Sequence, residues 1–526
     1  MAAGDAGTAA VGRALLEAGG SAVDAAVGAM IAAFVYEPPL TGPFGGGFAL
    51  TQLPGQAPVA HDFFATVPGH DSAAKGEDFE DVKVFFGPAS QIFHIGRGAA
   101  AVPLLLPGLI ELHRQGGRLP LAQVVAPAVE AARAGVRLSG QIAGIIEILA
   151  PILGHTEAAA RRFTPGGQPL QAGALYQNQA LADFLERFGQ GQIAQGRRAL
   201  LQTCGRPDGA LCERDFEAAR PGAAPPLEVE VRGRRVLLPP PPSVGGLLVA
   251  FGLELLKGAP AASWADPAET ARQLAAAMAL TTEARRAQLD PKLKAGVPLE
   301  ALVSDFLSPA HLDEARAALP AWLARGPSSP AAPEPPLGGT THVSVVTAAG
   351  EACTITTSNG EGNGWLVKEA GVMANNFLGE EDLHPYGFHL DPPGHRLVSM
   401  MCPTLVLEGT RPVMALGSGG SNRIRTALLQ VLGRVLLGGQ APAAAVHAPR
   451  IHLEGDLLYL EGEGADGTPM APGVPEALRA LVPQQRIFPG SSMFFGGVHL
   501  ALRGEGAADP RRGGVTATTH PRAPTP

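Results

Sequence analysis

From residue 340 onward, hydrophobic and β-branched positions fall into two short runs joined by Ala348-Ala349-Gly350, which predicts a hairpin of strands 341–347 and 351–358. Elsewhere helical and strand periods are mixed rather than strictly alternating. Residues 9–35 are Ala-rich and broken at Gly19-Gly20, the pattern of two helices joined by a glycine cap. The run Gly45-Gly46-Gly47 turns into a strand over 48–52. Residues 107–114 and 121–134 carry helical spacing on either side of the turn Gly116-Gly117-Arg118-Leu119-Pro120. Residues 227–238 alternate as a strand and run into a proline stretch ending at Ser243-Val244-Gly245-Gly246, after which 247–256 reads as a helix. Gly417-Ser418-Gly419-Gly420-Ser421-Asn422 opens a helix from 423 to 437. No internal repeat is visible, and the tail after Gly504 is polar enough to read as partly disordered.

Composition narrows the class. The chain has 526 residues, of which 46% are hydrophobic and 17% charged, so it buries a large core; 68 Gly and 49 Pro imply many turns. A net charge of -8 argues against nucleic acid as a partner. The first ten residues lack the basic start and apolar core of a secretion signal, and no apolar run reaches the length of about 18 that spans a membrane. The expectation is therefore a cytoplasmic protein without membrane partners, or a periplasmic or secreted one if the chain has been trimmed. Cys204, Cys212, Cys353 and Cys402 lack metal-ligand spacing. Cys204 and Cys212 are placed to pair locally, whereas Cys353 and Cys402 read as buried small hydrophobes.

The chemical signal is Thr340. It follows Gly338-Gly339 and a stretch, 325–339, that holds five prolines and no hydrophobic period, and it opens the strand Thr341-His342-Val343-Ser344-Val345-Val346. A threonine hydroxyl is a poor nucleophile without a base, and a threonine that begins a chain carries its own base as its α-amine. Cutting Gly339–Thr340 would create that amine; an ordinary edge strand after a linker is the bland alternative. Strand alternation puts His342 on the face of Thr340, where a satisfied structural histidine is the simpler reading. The glycine loop 417–422 opens a helix, and its N–H groups suit a carboxylate or a developing oxyanion. It has no phosphate-loop lysine and does not match a dinucleotide fingerprint.

In order along the chain, Gly19-Gly20-Ser21-Ala22-Val23-Asp24-Ala25-Ala26, Gly45-Gly46-Gly47-Phe48, Gly117-Arg118-Leu119-Pro120-Leu121, Pro241-Pro242-Ser243-Val244-Gly245-Gly246, Thr340-Thr341-His342-Val343-Ser344-Val345, Asn375-Asn376, Pro403-Thr404, the 417–423 loop and Asp509-Pro510-Arg511-Arg512-Gly513 resemble the gamma-glutamyltransferase family. That resemblance implies an α+β fold, the four-layer αββα sandwich of the N-terminal nucleophile hydrolases. It implies a precursor that cuts itself into 1–339 and 340–526, two pieces that stay together as one αββα domain because the sheets draw strands from both. Thr340 would be nucleophile and base, forming an acyl-enzyme from a γ-glutamyl amide and passing the acyl group to water, an amino acid or a peptide. The family's second hydroxyl falls on Ser358, and its oxyanion glycines on Gly419 and Gly420. Around the substrate it places Ser399, Glu380, Asn359, Ser421 and the position of Phe64. No metal or organic cofactor is implied.

The departures lie in the acyl pocket. Where relatives carry an arginine for the glutamyl α-carboxylate, the stretch His61-Asp62-Phe63-Phe64-Ala65-Thr66 has Phe64, and the usual partner of Ser399 is Met400. Loss of a buried bidentate partner costs about 2–5 kcal/mol, so γ-glutamyl binding is expected to be weak unless Arg396 or Arg423 replaces it; restoring the charge with Phe64→Arg would then raise it. Arg423, in a helix's first turn, also reads as a surface charge. Three readings stand: a γ-glutamyl enzyme, an acylase of different acyl specificity like the related cephalosporin acylases, and an uncleaved binding scaffold. Retention of Gly339-Thr340, Ser358 and the oxyanion glycines argues against the scaffold.

Overall fold

The computed structural model describes residues 1–70, 76–86, 89–327, 339–384 and 387–519; most of the proline-rich stretch before Gly339 lies outside them. The predicted hairpin forms between Thr341–Val346 and Ala352–Ser358, in antiparallel register with Thr341 opposite Thr357. It occupies the middle of a seven-stranded sheet ordered Gly222–Ala224, Val59–Phe63, Gly46–Gln52, Ala352–Ser358, Thr341–Val346, Ala2–Ala3, Val515–Thr516. Strands from before and after Gly339 thus interleave. A second, six-stranded sheet runs Leu227–Val231, Arg234–Leu238, Thr404–Glu408, Arg411–Gly419, Gly497–Leu502, Gly506–Ala507.

Period-two alternation sorts the hairpin's side chains between two cores. Val343, Val345, Cys353 and Ile355 face an apolar core shared with helix Ala22–Tyr36. Val346 and Ala352 join Leu50 and Ala60 against Leu237, Leu405, Leu407, Ala415 and Ala501 of the second sheet. Helices Val244–Leu256 and Arg423–Leu432 cover that sheet's other side, and helix Pro267–Ala284 packs against both of them. The result is the expected helix–sheet–sheet–helix stack. Helix Ala22–Tyr36 is buried from Ala22 to Val35, and Ser21 and Asp24 close its first turn with a reciprocal capping box.

Some expectations are corrected. Residues 227–238 form two strands, not one, because Arg232 and Gly233 both take positive φ (48° and 77°) in a tight turn. The helix from 423 stays α-helical only to Leu432 and finishes in a π turn, Gly433–Leu437. The polar tail is not disordered up to residue 519: Arg511 pairs with Glu461 at 2.6 Å, Asp509 takes Arg450 and the Val498 N–H, and all four charged side chains are buried. Burial of ions on this scale demands such reciprocal pairing. Cys204 and Cys212 form no disulfide; Cys204 is buried and its sulfur accepts from Asn363 Nδ2 at 3.4 Å. Cys353 and Cys402 are buried as expected. Among the described residues, no helix is long and apolar enough to cross a membrane.

Candidate active site

Thr340 lies at the head of strand Thr341–Val346, 6% exposed, at the edge of the cleft between the sheets. Its neighbour Thr341 points to the helical side, where its hydroxyl donates to Glu37 Oε2; Thr8 donates to Glu37 Oε1 at 2.7 Å. Burial raises the Glu37 carboxyl to about 7, offset in part by these two hydroxyls. The strand is therefore fixed one residue from Thr340.

In the intact chain the Gly339 carbonyl accepts from Ser358 Oγ, and Ser358 Oγ itself accepts from the Gly360 N–H at 2.9 Å. Ser358 stands opposite Gly46, and a side chain at Gly45 would meet the Ser358 carbonyl oxygen at 2.2 Å. The 45–47 glycines are thus a close-approach device beneath the site, not an anion loop. His342 is fully buried and bonds Thr356 Oγ1 at 2.8 Å and Ser344 Oγ at 2.7 Å. Burial holds it well below the usual histidine range, and a side chain on Gly417 would strike its ring at 2.2 Å. It is a structural, neutral histidine.

Gly419 comes from the opposite sheet. A Cβ there would lie 2.3 Å from the Thr340 carbonyl oxygen, and Gly420 adopts φ +127 while lying against Gly496. Only glycine permits that approach and that backbone. The buried Arg512 guanidinium stands beside both glycines. Burial lowers it to about 10, so it stays charged there. Ser421, expected at the substrate, instead donates to Asp382, which also takes Asn422 Nδ2 at 3.1 Å; the pair ties the loop to the 380–382 turn. Arg423 is not a surface charge: it is fully buried, donates to the Phe494 carbonyl at 3.0 Å and stacks 5.0 Å from the Phe494 ring.

An acidic group borders the Gly339–Thr340 bond. The Gly339 N–H donates to Glu361 Oε1 at 3.1 Å, and the Glu361 N–H donates to Asn376 Oδ1 at 2.9 Å. A side chain at Gly360 would meet Asn376 Oδ1 at 2.0 Å and Glu380 Oε1 at 2.6 Å, so both groups pack directly against Gly360. Burial raises Glu361; burial, then the charges of Glu361 and Asp382, raises Glu380; burial raises Asp382 to about 6. Asn359 donates to the Met373 and Ala374 carbonyls, 3.3 Å each, and buttresses this loop. Thr340, Ser358, Gly419, Asn359 and Glu380 are thus brought together. Glu361 was missed; Asn376 and Arg512 had been marked only by the runs Asn375-Asn376 and Asp509-Pro510-Arg511-Arg512, with no role assigned to either.

Phe64 sits one layer below. Its carbonyl oxygen would be 2.0 Å from a Cβ on Gly46, and its ring, 2% exposed, lies between Phe377 (centroids 4.6 Å) and Phe48 (5.8 Å). Arg396 does not replace the absent arginine: it pairs with Asp62 at 3.1 Å and donates to the Arg220 carbonyl. The Ser399 hydroxyl accepts the Met401 N–H at 3.1 Å, holding its own turn. Phe64→Arg would therefore force a guanidinium among aromatic rings, with a loss of about 3 kcal/mol or more. We expect a lower denaturation midpoint and no gain on γ-glutamyl anilide; a gain in kcat/KM would show that this position opens on the substrate.

The stacked sheets with a threonine at the inter-sheet cleft place the chain in the N-terminal nucleophile hydrolase fold class. Residues 8–519 match the gamma-glutamyltranspeptidase family, and the chain belongs to it. It is 30% identical over 467 residues to the acylase ACY 1 proenzyme of Pseudomonas sp. (strain SE83), covering 86% of this chain and 82% of the relative. It is 28% identical over 483 residues to the glutathione hydrolase proenzyme of Bacillus subtilis (strain 168), covering 86% and 80%. The solved cephalosporin acylase of Bacillus halodurans superposes with a TM-score of 0.78 over 99% of this chain and 96% of its own, at 23% identity.

Proposed function

We propose that this enzyme is a self-processing amide hydrolase and acyltransferase whose nucleophile is Thr340. The observation that carries the reading is the Gly339 carbonyl, gripped by Ser358 beside Thr340 and across from Gly419. Thr340 Oγ attacks that carbonyl, the C–N bond breaks, and the released nitrogen takes the hydroxyl proton; water then cleaves the ester. The freed α-amine of Thr340 serves next as base while Oγ attacks a substrate amide. The N–H groups of Gly419 and Gly420 receive the oxyanion, and the acyl-enzyme passes to water or an amine. The two pieces remain associated through their interleaved strands.

For the acyl group, the family supports γ-glutamyl amides of the glutathione kind. A second reading, an acylase with a different acyl group, is favoured by the packed Phe64 ring and by the engagement of Arg396 with Asp62. Purified, split protein should release the chromophore from a γ-glutamyl or another acyl anilide. Inactivity of fully split protein on every acyl anilide would contradict the proposed chemistry.

A further inference from the structure

Away from Thr340, a cavity of about 330 Å³ opens between helix Pro267–Ala284, the π turn Gly433–Leu437 and strand Ile451–Glu454. It lies at the far end of the helix that begins at Arg423, on the order of 15 Å from the Gly419–Gly420 loop by the rise of an α-helix. None of the residues placed around Thr340 lines it. Leu274, Ile451, Met470 and Val474 give it apolar walls. Two of its other lining residues, Trp264 and Arg434, carry donors short of acceptors. Trp264 is 7% exposed, and its Nε1–H has no partner. The indole lies against the π turn, since a Cβ on Gly433 would meet Trp264 Cη2 at 2.8 Å.

Arg434 is the next residue along that turn. Among the described residues its guanidinium makes one hydrogen bond, to the Pro449 carbonyl at 3.2 Å, and pairs with no carboxylate. Burial lowers it to about 10, and the charges of Arg450 and Arg511 push the same way, so it stays a cation with only cations acting on it. Asp466 also lines the cavity, but its carboxylate is exposed and accepts the Thr468 N–H at 3.0 Å. The dipole of the preceding helix accounts for a cation near its C-terminus. It does not provide an acceptor for the indole N–H. A desolvated donor and a desolvated cation, each without a counterpart, are both costly, and one anion entering the cavity relieves the two together.

We propose that this cavity is a second binding site, separate from the Thr340 cleft, for a small monocarboxylate with an apolar body. The carboxylate accepts from Arg434 and from the Trp264 N–H, and the hydrocarbon part fills the space beside Leu274 and Met470. A volume of about 330 Å³ is at the lower end for small-molecule sites, which suits a compact acid rather than a peptide or a lipid. Inorganic phosphate would satisfy the donors and leave the apolar walls unfilled.

Titration calorimetry on the purified full-length protein tests this with three probes: cyclohexanecarboxylate, its neutral counterpart cyclohexylmethanol, and inorganic phosphate. We expect the carboxylate to bind with a Kd of about 1 mM or tighter, and the alcohol and phosphate to bind at least about tenfold more weakly, the scale of one charge-assisted hydrogen bond. Arg434→Gln should weaken carboxylate binding by about tenfold or more, and Trp264→Phe by about threefold or more. Circular dichroism first checks that each variant is folded; if one is not, the other variant and the ranking of the three probes on the wild type decide. A carboxylate Kd weaker than about 10 mM, or an alcohol or phosphate that binds as tightly as the carboxylate, overturns the inference. Unchanged carboxylate affinity in a folded Arg434→Gln or Trp264→Phe protein overturns it too, because the acid then binds elsewhere. These outcomes leave the chemistry at Thr340 untouched, since that is read on anilides.

Discussion

Thr340→Ala protein is expected to run as one undivided chain and to cleave amides at least about ten thousandfold more slowly than the processed wild type. One hydroxyl is asked to do two jobs, attack on the Gly339 carbonyl and attack on substrate, and Ser358 already holds that carbonyl. The Thr341–Glu37–Thr8 bonds anchor the strand independently of the Thr340 side chain, so the variant should still fold. Thr340→Ser keeps the nucleophile but loses the methyl that restricts its rotamer, and should split slowly. A gel and a chromogenic anilide assay read both variants. Splitting of the alanine variant at the same bond would remove Thr340 from processing.

The second large effect belongs to the loop facing it. Gly420→Val should lower turnover by roughly a hundredfold or more, because a β-branched residue at φ +127 cannot keep the N–H in place for the oxyanion. Gly419→Ala should be the more damaging of the two. Its methyl would lie 2.3 Å from the Thr340 carbonyl oxygen, so it displaces the nucleophile as well as the donor and should slow splitting too. Steady-state kinetics on matured Gly420→Val protein isolates the oxyanion effect. Unchanged turnover there would take the loop out of the mechanism.

Much of this was legible in the chain. The β-branched runs around Ala348-Ala349-Gly350 foretold the central hairpin, and the ordered motifs foretold the family and the αββα stack. What stayed hidden depends on three-dimensional partners. Helix Pro267–Ala284 is buried along most of its length, so no polar stripe marked it. The tail looked like a solvated segment because its charges find partners, Glu461 and Arg450, far away in sequence. Arg423 read as a surface charge for the same reason, its contacts with Phe494 being invisible to local pattern. Phe64 could be seen as a departure, but its wedging between Phe48 and Phe377 could not. Glu361 carries no local signal at all. It stands out only because one oxygen holds Gly339 and the other holds nothing.

The central claim is that the Gly339–Thr340 bond is cut by the chain itself to release a catalytic N-terminal threonine. Intact-mass measurement and N-terminal sequencing of purified wild-type protein test it directly. The account predicts two co-purifying polypeptides, the smaller beginning Thr-Thr-His-Val-Ser-Val at Thr340, with amide-cleaving activity rising in step with its appearance. Full activity in an undivided chain, or a smaller piece that begins at any other residue, would contradict it.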